Sequence, residues 1–255
     1  MDLPRTASAV VIGGGVVGCS IAYNLARRGL ADVVVVERET VGSGTTSKAA
    51  GGIRVQFSTE TEIRFSLEAI RVFERFEEEF GVDPGYKKIG YLFLVSDPQQ
   101  LRAFEQRIAL QTKLGGDVRV ITPADAQKLV PALRVDDLIA AVWGPGDVED
   151  IGEDFDVPMD WSRVEEAVQK AIQRVPIIGD ARIAGGWAGL RPLTPDDHAI
   201  IGWAPGVEGF FVAIGFGGHG FQHSPATGRY VAEWLLDGKP SLDLSLFDPG
   251  RFSRS

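Results

Sequence analysis

A run of small and β-branched apolar residues, Ala9-Val10-Val11-Ile12, breaks at three glycines and gives way to the small-residue stretch Val16 to Arg28. Gly29 stops that stretch and Val33-Val34-Val35-Val36 follows, so the pattern predicts strand, helix, strand. Four valines without polar alternation predict a parallel strand covered on both faces. A loop rich in Gly, Ser and Thr spans Gly42 to Gly52. Apolar residues then recur at Ile63, Leu67, Ile70, Phe73, Phe76 and Phe80, one helical stripe from Glu60 to Phe80 that Gly81 ends. Tyr91 to Val95 reads as a strand, Ser96-Asp97-Pro98 opens a helix to about Leu114, and Thr122-Pro123 opens a short one through Val130. Leu138 to Val142 reads as another strand, and Gly144 to Asp156 as a polar, acidic surface loop. Asp160 caps a helix that starts at Trp161 and runs to about Arg174, with Val164, Val168 and Ile172 on one face. The last elements are a strand, Phe210 to Ile214, a glycine loop, Gly215 to Gly220, and a helix, Pro225 to Leu236. Both ends of the chain therefore share one theme, strand into glycine turn into helix.

Composition narrows the class. The 255 residues are 44% apolar, enough for a real core, and carry a net charge of −9 with no Lys/Arg-rich stretch, which argues against nucleic acid or an anionic membrane as partner. The single cysteine, Cys19, excludes an internal disulfide and a cysteine-clustered zinc site and suits a reducing compartment; no metal site is read. The apolar run near the start is interrupted by Gly13 to Gly15 and closed by Arg27-Arg28, unlike a secretory segment, and no long uncharged apolar stretch appears elsewhere. The expectation is a cytoplasmic protein without a membrane span.

Gly13-Gly14-Gly15-Val16-Val17-Gly18 matches G-x-G-x-x-G between strand and helix, with Glu37 at the end of the second strand. Gly13 makes the tight turn, Gly15 lets a pyrophosphate approach the backbone, and Gly18 lets helix and strand pack. The helix end offers free N–H groups to phosphate, and the Glu37 carboxylate can accept from ribose hydroxyls while repelling a 2′-phosphate, which disfavours NADP. NAD and FAD remain open on this motif alone.

Three blocks together resemble the D-amino-acid-oxidase-like FAD oxidoreductases, the group holding sarcosine oxidase, dimethylglycine dehydrogenase, glycine oxidase and the dye-linked proline dehydrogenase subunit. They are Val11 to Arg38, Gly42 to Arg54, and Gly186 to Gly228, the last with Trp187-Ala188-Gly189-Leu190-Arg191-Pro192 and Gly215-Phe216-Gly217-Gly218-His219-Gly220-Phe221-Gln222-His223. The resemblance implies an α/β fold: a Rossmann-like FAD-binding domain from residues 1–58 and 178–255, and a reduced α+β substrate or cap region, 59–177. It implies FAD contacts from Gly13, Gly15, Val16, Val17, Gly18, Glu37 and Arg38, from Gly44, Thr45, Thr46, Ser47, Ala50, Gly51 and Gly52, and from Gly217, Gly218, His219, Gly220, Phe221 and Gln222. Some relatives tether flavin through a histidine where Lys48 stands, so non-covalent binding is expected. Arg191 looks like the arginine that grips a substrate carboxylate, Arg54 like a basic residue over the flavin, and Gln222 takes the place of a lysine near the flavin in sarcosine oxidases. An amide cannot act as a cationic oxygen-activating group, which favours a dehydrogenase over an oxidase.

The resemblance breaks between Pro145 and Phe155, as if a central segment with several sheet strands had been cut out. The strand Phe210 to Ile214 must then pair with the first strand, pair with another copy of the chain or a partner subunit, or leave a costly edge. The pocket should lose a wall. The implied activity is oxidation of a small amino acid or secondary or tertiary amine, sarcosine-, dimethylglycine- or proline-like, to an imine by hydride transfer to flavin. The alternatives are a catalytically impaired FAD-binding or interaction module and, less favoured, a plain NAD-dependent dehydrogenase.

Overall fold

A computed structural model of the chain describes residues 4–146 and 160–252. Strand β1 (Ala9–Ile12) pairs in parallel with β2 (Val33–Val36), Ala9 opposite Val33 and Ile12 opposite Val36, and helix α1 (Val16–Arg27) makes the crossover. Helix α1 ends as its sequence requires: Gly29 takes φ +98°, its N–H bonds the Ala26 carbonyl, and Leu30 N–H bonds the Leu25 carbonyl, a Schellman motif.

The single stripe expected over Glu60 to Phe80 is two helices, α2 (Glu60–Glu74) and α3 (Phe76–Phe80). The chain kinks at Arg75, whose N–H tightens onto the Val72 carbonyl, yet Phe73 and Phe76 stay stacked at 5.9 Å, so the apolar stripe survives the bend. Strand β3 (Tyr91–Val95), helix α4 (Pro98–Lys113), strand β4 (Arg119–Ile121), helix α5 (Pro123–Leu129) and strand β5 (Ala140–Gly144) form a unit whose antiparallel sheet has the order β3-β5-β4. Asp97 and Thr122 cap α4 and α5 as expected, accepting from Gln99 N–H and Asp125 N–H. The strand placed at Leu138 starts two residues later, because Leu138 closes a turn on the Val135 carbonyl. The loop expected at Gly144 to Asp156 lies outside the described residues from 147 onward. Asp160 caps α6 (Trp161–Arg174) through Ser162 N–H.

Near the end, β6 (Ile200–Trp203) pairs antiparallel with β7 (Phe211–Ile214), and α7 (Gly220–Asp237) follows. Helix α7 begins five residues before the expected start. Pro225 sits inside it, and Ser224 Oγ donates at 2.8 Å to the Phe221 carbonyl that the proline leaves without a partner. The inner faces of β1, β2, β6 and β7 pack with α1 and α7 around Phe65, Ile201, Tyr230 and Phe247. Helices α1 and α7 come together at Gly228, which lies against the backbone of Ser20.

Strand β7 bonds β6 and not β1, which overturns the direct pairing considered for it. The covering expected on both faces of β2 is also absent: Val35 and Val36 are exposed, as are Val10 at 56% and Ile12 at 79% on β1. Alternation along β1 turns Ala9 and Val11 inward onto the core and Val10 and Ile12 outward, where both are exposed. No described helix is long and apolar enough to cross a membrane.

Candidate functional site

The N-termini of α1 and α7 open into one cleft of about 520 Å³. Gly15, Val16 and Val17 line it at one side. Gly13 takes φ +106° and its N–H bonds the Val36 carbonyl at 2.8 Å, so the turn is tied to β2. Gly18 has the packing role expected of it, since a Cβ there would stand 2.0 Å from the Gly13 carbonyl oxygen. Neither Gly13 nor Gly18 lines the cleft; they shape the wall from behind.

Glu37 is also behind that wall. Its Oε2 accepts from Gly14 N–H at 2.7 Å and its Oε1 from Glu39 N–H at 3.0 Å, bonds that hold the carboxyl below its usual range, Glu39 more than Gly14. Part of the acceptor capacity expected to meet a ribose thus braces the glycine turn. Arg38 is exposed, faces Glu39 at 3.5 Å and lies off the cleft.

In the second block Thr45, Thr46, Ala50, Gly51 and Gly52 line the cleft, while Gly44 and Ser47 do not. Ser47 Oγ instead donates to the Gly44 carbonyl at 3.1 Å and shapes the loop. Thr46 Oγ1 accepts from Val16 N–H at 2.9 Å, a side-chain partner from a distant loop for one of the donors that a helix start leaves open.

Gly217, Gly218, His219, Gly220, Phe221 and Gln222 form the opposite wall. Gly217 is left-handed at φ +57° and its N–H bonds the Pro192 carbonyl, which joins the two halves of the third block. Gly218 leaves room for Arg191: a Cβ there would touch the guanidinium carbon at 3.4 Å. Arg191 and Arg54 both line the cleft, and neither has a carboxylate within ion-pair distance among the described residues.

Arg54 lies over the rings of Phe57, Tyr91 and Phe93 at 5.0, 5.5 and 5.9 Å, and its Nη2 is 3.2 Å from His219 Nε2. Because the guanidinium has no lone pair to offer, the histidine nitrogen facing it accepts. Burial, with Arg54 and then Arg191 nearby, lowers His219 to about 4, so the ring is neutral near pH 7. His223 lies deeper, lowered to about 3 by burial and then by His219 and Arg54.

The placement of Gln222 corrects the expected catalytic contact. The residue borders the cleft but is only 2% exposed, and its amide is engaged within the protein: Nε2 donates to the Arg54 carbonyl and to Ser66 Oγ, each at 2.6 Å, and Oε1 accepts from Arg54 N–H at 3.2 Å. With both donors engaged and one bond already accepted, the amide keeps only the second lone pair of Oε1 for a ligand. Sequence reasoning also missed the aromatic shelf under Arg54. Period-two alternation puts Tyr91 and Phe93 on one face of β3, but which face met Arg54 depended on a contact between distant segments. Lys48, Trp187, Leu190 and Phe216 also line the cleft.

A family model described as FAD dependent oxidoreductase matches residues 8–150 and 142–234. The match comes in two pieces that overlap at 142–150, a range that reaches into the break between Pro145 and Phe155. Human sarcosine dehydrogenase, mitochondrial, is 23% identical over 386 residues, covering 99% of this chain and 42% of the relative. Mouse dimethylglycine dehydrogenase, mitochondrial, is 32% identical over 387 residues, covering 97% and 44%. Both spans exceed the 255 residues available here, so the relatives carry residues without a counterpart, and the chain spans less than half of their length. Among solved structures, L-proline dehydrogenase from P. horikoshii superposes with a TM-score of 0.91 at 25% identity, covering 99% of each chain. Glycine oxidase from Geobacillus kaustophilus follows the same fold with a TM-score of 0.78 at 19% identity, covering 96% of this chain and 98% of that one. With the matched pattern running through both walls of the cleft, the chain belongs to the FAD dependent oxidoreductase family.

Proposed function

We propose that this chain binds FAD in the cleft without a covalent bond and oxidises a small amino acid with a secondary or tertiary nitrogen, of the sarcosine, dimethylglycine or proline kind. The observation that carries the reading is the pairing, in one cleft, of two helix N-termini with two arginines that lack carboxylate partners among the described residues. The residues fit the cofactor. The first intrahelical bond of α1 runs from Cys19 N–H to the Gly15 carbonyl, so the N–H of Val17, which lines the cleft, precedes it and suits a diphosphate. Gly15 carries no Cβ to press on Thr46, where one would come within 3.2 Å. Lys48 stands where a tethering histidine would be needed.

Bound FAD supplies the two-electron acceptor for oxidation of a C–N bond. The chain supplies binding and orientation. Arg54 and Arg191 hold the substrate carboxylate, a task suited to the guanidinium fork. Neutral His219 accepts from Arg54 and leaves that positive charge unopposed, and with Gln222 in place of a cationic side chain, a dehydrogenase is the better reading. Residues 1–58 and 178–255 form the cofactor-binding part and 59–177 the reduced cap, whose Tyr91 reaches the cleft. A second reading, an FAD-binding module without turnover, draws on the bare outer face of β1 and β2 and the missing central segment.

The test is the visible spectrum of protein loaded with FAD, followed anaerobically as sarcosine, dimethylglycine or L-proline is added. Bleaching by one of them supports the first reading, flavin bound without bleaching supports the second, and failure to retain FAD refutes both.

A further inference from the structure

Arg54 is a buried-side cation with an open end, and its orientation has to come from somewhere. Among the described residues its Nε is buried without a hydrogen-bond partner, and its side chain is held by ring faces and one histidine nitrogen rather than by a carboxylate. Ring faces are permissive about angle, so they do not by themselves fix the guanidinium. The peptide of Arg54, by contrast, is gripped at both polar groups. The Gln222 carboxamide takes its N–H and its C=O together, as a neighbouring strand would, and passes its second N–H to Ser66 Oγ. Ser66 is anchored in turn by its own donation to the Glu62 carbonyl at 2.9 Å inside α2. The first turn of α7, the body of α2 and the loop bearing Arg54 thus meet at one buried amide.

We propose that Gln222 is a positioning residue: its amide fixes the Arg54 peptide so that the guanidinium stands ready in the cleft for a carboxylate. This assignment rests on the reading of the cleft as a carboxylate site. The two-sided pairing explains why an amide occupies the position. A glutamate keeps an acceptor for Arg54 N–H but loses the donors to the Arg54 carbonyl and Ser66, and a lysine loses the acceptor.

The test uses the full chain loaded with FAD and compares benzoate with benzamide, reading binding from the change in the flavin spectrum. The variants are Arg54→Ala, Gln222→Met and Gln222→Glu, the last nearly isosteric and a safeguard if the methionine variant misfolds. Wild type is expected to prefer benzoate. Arg54→Ala should weaken that preference at least about a hundredfold, Arg191 keeping the remainder, and both Gln222 variants should weaken it at least about tenfold while flavin content and benzamide affinity hold. Hydrogen exchange in protein without FAD should show the Arg54 amide protected in wild type and released in Gln222→Met. A merely structural role would lower both ligands and the flavin together. If Arg54→Ala weakens the preference while both Gln222 variants keep it and keep the amide protected, the positioning role is overturned alone. If Arg54→Ala changes nothing, Arg54 does not hold the carboxylate and this assignment falls with it; if wild type shows no preference for benzoate, the carboxylate reading itself fails.

Discussion

Gly228→Ala is the most direct probe of how the two ends of the chain are joined. A Cβ at 228 would lie 2.2 Å from Ser20 Oγ, 2.5 Å from the Ser20 carbonyl oxygen and 2.6 Å from its carbon. Ordinary contact needs about 3.5 to 4 Å, and while the hydroxyl can rotate away, the carbonyl belongs to α1 itself. The helices must therefore part by roughly 1 Å at this point, at the cost of about 1 to 3 kcal/mol typical of overpacking. Replacing glycine by alanine in a helix interior returns up to about 1 kcal/mol, so the two effects oppose each other and sterics should win. For a chain of this size each 1 kcal/mol moves the melting temperature by roughly 2 to 4 °C, so a fall of several degrees is expected. Thermal melts with and without FAD provide the assay, and FAD affinity should drop too, since both helices aim their N-termini into the cleft. Adding Ser20→Ala relieves only the contact to Oγ and should recover part of the loss. A Gly228→Ala protein that melts at or above the wild-type temperature would refute the close approach and the joining of the two cleft walls.

Other consequences are testable by simpler means. Gly18→Ala drives a methyl against the Gly13 carbonyl and should leave a protein that purifies without flavin, read as the ratio of visible to ultraviolet absorbance; normal loading would contradict the turn geometry. The histidines predict acid sensitivity. Unfolded, they take up protons near pH 6.5, whereas in the fold His219 does so only at about 4 and His223 at about 3. The stability they allow is complete above pH 6.5 and drains as pH falls through 4 towards 3, by up to about 1.4 kcal/mol per pH unit per residue before solvent screening of His219. Urea midpoints at pH 7.5 and pH 5 measure this, and a midpoint that does not move would contradict it. Ile12→Lys places a charge on the bare face of β1, where it should change folding stability by no more than about 0.5 kcal/mol and reduce self-association in light scattering. Unchanged association would show that this face is not adhesive.

Much of this architecture is legible where the signal is local. The crossover β1-α1-β2 declares itself through valines and glycines, and the caps at Asp97, Thr122 and Asp160 mark helix starts to within a residue. Signals fail where structure depends on partners far away in sequence. Strand β6 is four residues with a glycine inside, and β4 is three; both exist because β7 and β5 pair with them. Pro225 looks like a helix start because its ring usually sits there, but a single serine hydroxyl offsets the lost bond and lets α7 begin earlier. Within the site, the glycines of the first turn can be picked out from motif chemistry, and Arg191 only from the family resemblance. The inward turn of Gln222 cannot, since the same amide suits a ligand or a peptide, and only the meeting of α7 with the Arg54 loop decides which.

The union of α1 with α7 sets the order in which the protein can form. Arg28 and Asp237, which bridge these helices at 2.6 Å, are 209 residues apart in the chain. On a ribosome, Ile21 and Leu25 of the first helix have no cover from α7 until that distant helix has been made. Closure across so long a loop is entropically expensive and slow, so the early crossover waits as an incomplete, exposed unit until α7 emerges. Protein yield should therefore respond to chaperone supply and growth temperature, and a stop codon placed just before α7 should remove the whole molecule rather than one helix.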